Sequence, residues 1–461
     1  MLRRVRTLAA TSLTLVLAAP LSGGAQPGPG WLDAYREPAT RLIDAALADD
    51  HAWQRLAELG DTFGARLSGS PNLEAALQWA ARTMEQDGLE QVRAEPVMVP
   101  VWVRGRESAE VLEPVVRPLV MLGLGGSVAT PPDGLVADAL VVTSFDELDA
   151  RADEVKGRIV VFNVPYTSYG PTVQYRLHGA SRAARHGAVA MLVRSIGPMG
   201  LRTPHTGTLV YAPDSPAIPA AAIAAEDAEM LHRIQKRGQR LPIRLHMEAK
   251  YLPDAESANV VAELVGREFP NEVVVIGCHI DSWDVGSGAS DDGGGCIAVW
   301  EAARLMKKLD LRPRRTVRVV LYTNEENGLR GGLAYRDRYL AQLADHVMML
   351  ESDIGVFAPA GFGFSGSDGA RAVVTEIATL LRGIGADRIG PSGGGADIGP
   401  SVEAGRMPAM SLEVGGNYFL VHHTPADLVE RIEPAEIAKC VAAIAVMTYV
   451  VADLPERLDR Q

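Results

Sequence analysis

Between Val273 and Asp292 the chain reads VVVIGCHIDSWDVGSGASDD, which delivers an imidazole and several carboxylates from the end of an apolar run into a Gly/Ser-rich loop. The β-branched residues Val273 to Ile276 predict a strand buried on both faces of a parallel sheet. His279 then falls at its carboxyl end, where open α/β sheets place their ligand crevices. Asp281, two residues on, points to the same side if the chain stays extended, and its carboxylate is expected to accept the proton of the second imidazole nitrogen. Gly286, Gly288 and Ser290 let the loop fold back and present Asp291. From Asp292 onward the pattern becomes helical.

A second cluster, TNEENGLRGG, follows the apolar run Thr316 to Tyr322. It sets Glu325 and Glu326 side by side, and burying both is costly unless a cation or a proton compensates. Asp353 follows the apolar stretch Val347 to Leu350, and His423 lies in NYFLVHHTPAD. His279, Asp291, Glu326, Asp353 and His423 together supply two imidazoles and three carboxylates, a set that suits two zinc ions about 3.5–4 Å apart sharing one carboxylate. Glu325 is left over, placed to take a proton from water between the metals. Taken singly, a strand-end histidine is usually structural and a Glu-Glu pair usually starts a solvated helix. What separates this chain from that reading is that each cluster follows its own apolar segment, and one sheet would bring those ends to one edge.

The order HxDS, DDGGG, EExG, an Asp after an apolar strand, then HHTxxD resembles the two-zinc aminopeptidase family, and HIDSWDVGSGASDDGGG is most similar to its carboxypeptidase Q branch. The resemblance covers roughly residues 40 to 455. It implies that Asp291 bridges two zincs, that His279 and Asp353 share one ion and Glu326 and His423 the other, that Glu325 is the general base, and that Asp281 orients a ligand from behind. It also implies dipeptide substrates with both ends free, and a homodimer. Where many relatives carry Ser-Asp-His, this chain has GGGADIGP, so Asp397 is expected to be a turn or loop residue; His422 is a candidate transition-state donor.

The resemblance implies an α/β fold, a mixed sheet flanked by helices as in zinc exopeptidases, and the alternation of helical and strand-like segments fits it. Helical spacing is expected from Trp31 to about Leu59, over Asn72 to Gly88, Ile297 to Lys308 and Ala370 to Arg382, and in the apolar final helix Ala435 to Asp453, read as a cover for the core. Glu95 to Val103 reads as extended, with Arg66 to Ser70 as a loop near the catalytic edge. From about Leu119 short Val/Ala/Ile strands and Gly/Pro turns take over, resembling a protease-associated domain inserted at 119–250 into a catalytic domain made of 26–118 and 251–461. His178, His186 and His205 in that insert lack ligand-like spacing and read as structural or exposed.

At 461 residues with 47% hydrophobic composition, the chain can bury a large core and is not disordered. Residues 1–25 combine three arginines, an apolar run and small residues, and read as a signal peptide, so the protein is expected to be secreted or periplasmic. The apolar run is shorter than the roughly 20 residues of a membrane span, and no stable membrane insertion is expected after cleavage. Cleavage removes three arginines and no acid, moving the formal charge from −12 to −15, which disfavours nucleic acid as a partner. Cys278, Cys296 and Cys440 are the only cysteines; Cys278 and Cys296 read as buried fillers, and whether any two pair is open. The expected function is a di-zinc exopeptidase acting on peptides. The alternatives are a non-catalytic receptor-like or binding protein on the same fold and a single-zinc aminoacyl cyclase.

Overall fold

The computed structural model describes residues 30–48 and 50–460; the expected signal peptide, residues 1–25, lies outside them. Two eight-stranded sheets organise the chain. The first runs in spatial order Glu90–Val103, Lys250–Leu264, Arg315–Tyr322, Phe269–His279, His346–Glu351, Ala409–Val414, Pro359–Ser365 and Arg388–Gly390. Its four central strands, Arg315–Tyr322 through Ala409–Val414, are mutually parallel, and antiparallel pairings flank them on both sides.

The central strands are rich in apolar residues because both faces are covered, with charged residues such as Arg318 and Glu351 buried among them. Val274, Ile276, Val319, Leu321, Met348 and Leu350 belong to the core under the helices Gly294–Lys308 and Pro434–Asp453. Their neighbours Val273, Val275, Val320 and Tyr322 pack on the opposite face with Tyr335 and Leu343. The expected first helical stretch divides into Asp33–Leu47 and His51–Phe63. The next helix, Pro71–Gln86, starts as its sequence dictates, with Pro71 in the first turn and Ser70 Oγ accepting from Leu73 N at 3.2 Å. Pro434–Asp453 is the one helix among the described residues long and apolar enough to cross a bilayer, yet every position from Cys440 to Asp453 is buried inside the protein.

Register carries the site. Parallel pairing sets His279 opposite Tyr322 and Gly277 opposite Glu351, so His279, the residues following Tyr322 and Asp353 all emerge at one level of the sheet edge.

The second sheet has spatial order Arg117–Leu119, Glu107–Val111, Pro242–Met247, Leu135–Val142, Ile159–Phe162, Ala190–Arg194, Ala220–Ile223 and Met121–Gly123, with helices Tyr169–Arg185 and Ala225–Lys236 among its connections. The first of these strands in chain order begins at Glu107 and pairs with Pro242–Met247, ahead of the composition change near residue 119. Val103 and Lys250, where the chain leaves and re-enters the first sheet, are paired with each other.

Candidate metal centre

His279 is fully buried. Its Nε2 lies 3.1 Å from Asp353 Oδ1 and 3.2 Å from Asp291 Oδ1. Across the site, His423 Nε2 lies 3.0 Å from Glu326 Oε2 and 3.2 Å from Asp291 Oδ2. Asp291 therefore turns one carboxylate oxygen to each imidazole. Two ligands about 2.0–2.1 Å from one tetrahedral zinc stand roughly 3.3 Å apart, close to all four separations. Asp291 Oδ2 and Glu326 Oε1 are also buried without a hydrogen-bond partner, as is expected of oxygens whose partner is a cation.

Several carboxylates and two imidazoles share one buried cluster, so each group's protonation answers to its neighbours. Burial pulls His423 down, but Glu326 and Asp291 more than offset it and raise its pKa to about 10. Burial and the Asp291 charge push Glu326 up to about 7. Burial would raise Asp291 too, yet the two imidazoles hold its carboxyl well below the usual range. Glu325, half-buried beside Asp353 and Glu326, is pushed well above the ordinary carboxylate value, by burial first and by those neighbours next. Divalent cations on the Nε2 sides fit the same electrostatic demand.

Asp281 sits differently from its expected role. The imidazole Nδ1 of His279 faces the main-chain carbonyl of Asp281 at 2.9 Å, while the nearer carboxylate oxygen is 3.8 Å away. That carboxylate accepts instead from the backbone N–H groups of Glu325 (3.1 Å) and Glu326 (3.3 Å) and from Ser68 Oγ (3.2 Å). The reason is that unpaired N–H donors at the turn after Tyr322 are closer partners than the ring. Asp281 thus positions the glutamate pair directly and the histidine through its backbone.

The return of the chain to Asp291 is also less regular than its helical pattern suggests. Ala289–Gly293 forms a wide turn with non-helical dihedrals at Asp291 and Asp292, and the regular helix begins at Gly294. Asp427, the last residue of HHTPAD, holds that turn: Oδ1 accepts from Ser290 N at 2.7 Å and Oδ2 from Asp291 N at 3.1 Å. Arg66, fully buried, donates to the carbonyls of Gly64, Ile280, Ser287 and Gly288 and so ties down the loop between His279 and Asp291. Asp292 Oδ2 accepts from His279 N at 3.2 Å. The sequence assigns no role to Arg66, Asp292 or Asp427, although Asp292 stands in DDGGG and Asp427 in HHTxxD.

Cys278 and Cys296 form a disulfide with Cα atoms 5.0 Å apart, and Cys440 is a free, buried thiol. Asp397 lies in a turn, as expected, but is fully buried against Glu351, whose carboxylate accepts from Ile398 N at 2.9 Å. His422 Nε2 is 3.6 Å from Asp291 Oδ2, and its ring stacks on His423 at 3.5 Å. His186 pairs with Asp149, and His205 is buried, its pKa drawn to about 3 by that burial and by His423.

The model of peptidase family M28 matches residues 259–448. The chain is 46% identical to carboxypeptidase Q of Bos taurus over 92% of this chain and 91% of that protein. It is likewise 46% identical to carboxypeptidase Q of Homo sapiens, over 92% and 90%. Among solved structures, a peptidase M28 precursor from Shewanella amazonensis SB2B superposes with a TM-score of 0.89 at 35% identity, covering 92% of this chain and 98% of the other. A Bacillus subtilis protein described as a zinc aminopeptidase gives a TM-score of 0.65 at 21% identity over 89% and 98%, a likeness of fold alone. Motif resemblance, sheet register and whole-chain similarity agree: the chain belongs to peptidase family M28, alongside carboxypeptidase Q.

Proposed function

We propose that this protein is a secreted or periplasmic di-zinc exopeptidase that hydrolyses dipeptides or short peptides. The observation that carries the reading is Asp291 facing both imidazoles with separate oxygens. His279 and Asp353 would hold one zinc, Glu326 and His423 the other, and Asp291 both. When bound, the two ions supply Lewis acidity, lowering the pKa of water and polarising the scissile carbonyl.

The rest of the work falls to side chains. Glu325 takes the proton of the attacking water and returns it to the leaving amine. Asp281 fixes the backbone from which Glu325 and Glu326 project. His422, beside Asp291, is placed to donate to the developing oxyanion. We read the second sheet as the protease-associated insert, roofing the cleft and thereby favouring short substrates. The leader-like sequence and the Cys278–Cys296 disulfide both support export to an oxidising compartment. A homodimer is part of the same reading, on the likeness to carboxypeptidase Q. The complete ligand set weighs against a non-catalytic protein and against a single-zinc cyclase.

Two measurements test this. Glu325→Gln should retain two zinc ions while losing about 10²–10⁴-fold in turnover; near-normal turnover in a metal-replete variant would reject the assignment. An unblocked dipeptide should be cleaved far faster than its acetylated counterpart, because acetylation removes the amine that a zinc and a nearby carboxylate would hold. Equal rates would sink the amino-end reading and leave a metal hydrolase in place.

A further inference from the structure

His423 is held from outside the first sheet. Its backbone is in the left-handed region, at φ +59°, which non-glycine residues adopt uncommonly. The partner is Thr206, a fully buried residue of the second-sheet unit. Thr206 N donates to the His423 carbonyl at 2.9 Å, and Thr206 O lies 3.3 Å from Nδ1 of the His423 ring. One residue of the second unit therefore grips both the main chain and the side chain of a proposed ligand.

Thr206 is itself anchored at every remaining polar atom. Its hydroxyl donates to Gly123 O at 2.7 Å and lies 3.4 Å from Arg104 Nη2, while Arg104 Nε donates to Asp284 of the HIDSWD loop at 2.8 Å. Its carbonyl also accepts from Nη1 of Arg176 at 3.3 Å. Arg176, buried on the helix Tyr169–Arg185, is oriented by donation to Thr208 O at 3.1 Å and to the Tyr169 hydroxyl at 3.1 Å. Between them stands Gly207, at φ +128°: a Cβ there would come within 2.3 Å of Arg176 Nη1 and 2.7 Å of His423 Nδ1. The packing leaves no room for any side chain at that position.

The Thr206 carbonyl, an acceptor within reach of Nδ1, favours one orientation of the ring. Arg176 carries only donors, and its Nη1 lies 3.3 Å from His423 Nδ1. If Nδ1–H and Nη1–H both donate to the Thr206 carbonyl, the Nε2 lone pair is left facing Asp291 and Glu326, as ligation requires. We propose that Thr206 and Arg176 are positioning residues for His423, so that the second-sheet unit supplies the outer shell of one of the two metal positions. The proposal rests on the reading of His423 as a ligand.

The test is zinc binding to the full-length apo-protein by chelator competition, with cobalt absorption spectra reporting ligand geometry. Arg176→Met, which keeps the length and removes the donors, should weaken one of the two zinc sites by about 10–100-fold and leave the other unchanged. Arg176→Lys, which keeps the charge but lacks the guanidinium fork, should bind at that site between Arg176→Met and wild type; if Arg176→Met does not fold, selective weakening of one site in Arg176→Lys supports the proposal and wild-type affinity at both overturns it. His423→Ala is the control and should lose that same site. Wild-type zinc affinity at both sites in Arg176→Met and Arg176→Lys, alongside loss of one site in His423→Ala, would overturn the proposal while leaving the ligand reading standing. Equal weakening of both sites would overturn it as well, indicating general loosening. Two intact sites in His423→Ala would remove the ligand reading and the proposal with it.

Discussion

Asp291 is the most constrained residue of the site, since each carboxylate oxygen faces a different histidine and its backbone N–H is already committed to Asp427. Asp427 spends one oxygen on Ser290 N and the other on Asp291 N. In Asp427→Asn one acceptor becomes an NH2 group pointed at a donor, leaving a buried N–H unpaired at a cost of about 1–3 kcal/mol. Zinc affinity in that variant should fall about 10–100-fold by chelator competition, and an unchanged affinity would show that the turn holds without the carboxylate. Which residues were legible follows from what they bind. His279, Asp291, Glu326, Asp353 and His423 announce themselves through side-chain type at the ends of apolar runs. Arg66 and Asp427 act on backbone groups of distant loops and Thr206 acts through its own main chain, so apart from the Asp of HHTxxD no side-chain pattern marks them. Asp281 was legible as a residue and misread as a contact, because its position two places after His279 reveals the side of the strand but not the competing N–H groups of Glu325 and Glu326.

Among the elements, the strands around Val273–Ile276, Thr316–Tyr322 and Val347–Leu350 are readable because burial on both faces favours runs of apolar, mostly β-branched residues, even with Arg318 inside one of them. Glu107–Val111 is not, since ESAEV carries two glutamates and belongs to a sheet that nothing local identifies. The disulfide was likewise beyond sequence reading, because the proximity of Cys278 and Cys296 depends on how the intervening loop closes. It joins the end of the strand Phe269–His279 to the first turn of the helix Gly294–Lys308, spanning the segment that carries both His279 and Asp291. In the loop-entropy model a closed loop of this size contributes about 3 kcal/mol. The double substitution Cys278→Ala, Cys296→Ala should lower the urea-unfolding free energy of the apo-protein by roughly that amount. Because both sulfurs are buried, the native wild type should resist a mild reductant that acts on it readily once unfolded; prompt reduction of the folded protein would contradict the buried placement.

At the scale of the whole molecule, the pairing of Val103 with Lys250 makes the second sheet a pendant. The two points where it attaches are one strand spacing apart, about 4.8 Å, so residues 104–249 can be cut out and the ends rejoined by an Asn-Gly hairpin turn without severing a strand of the first sheet. The shortened chain should keep the long ladder between Glu90–Val103 and Lys250–Leu264 and unfold cooperatively, as circular dichroism would show. It should also lose the grip of Thr206 on His423 and bind its second zinc poorly. Failure to fold would instead mean that the pendant is a buttress for the whole first sheet. Such a junction also localises the damage a substitution can do: changes in the interior of one sheet stay within it, whereas changes along the seam, where Thr206 meets His423 and Arg104 meets Asp284, reach both.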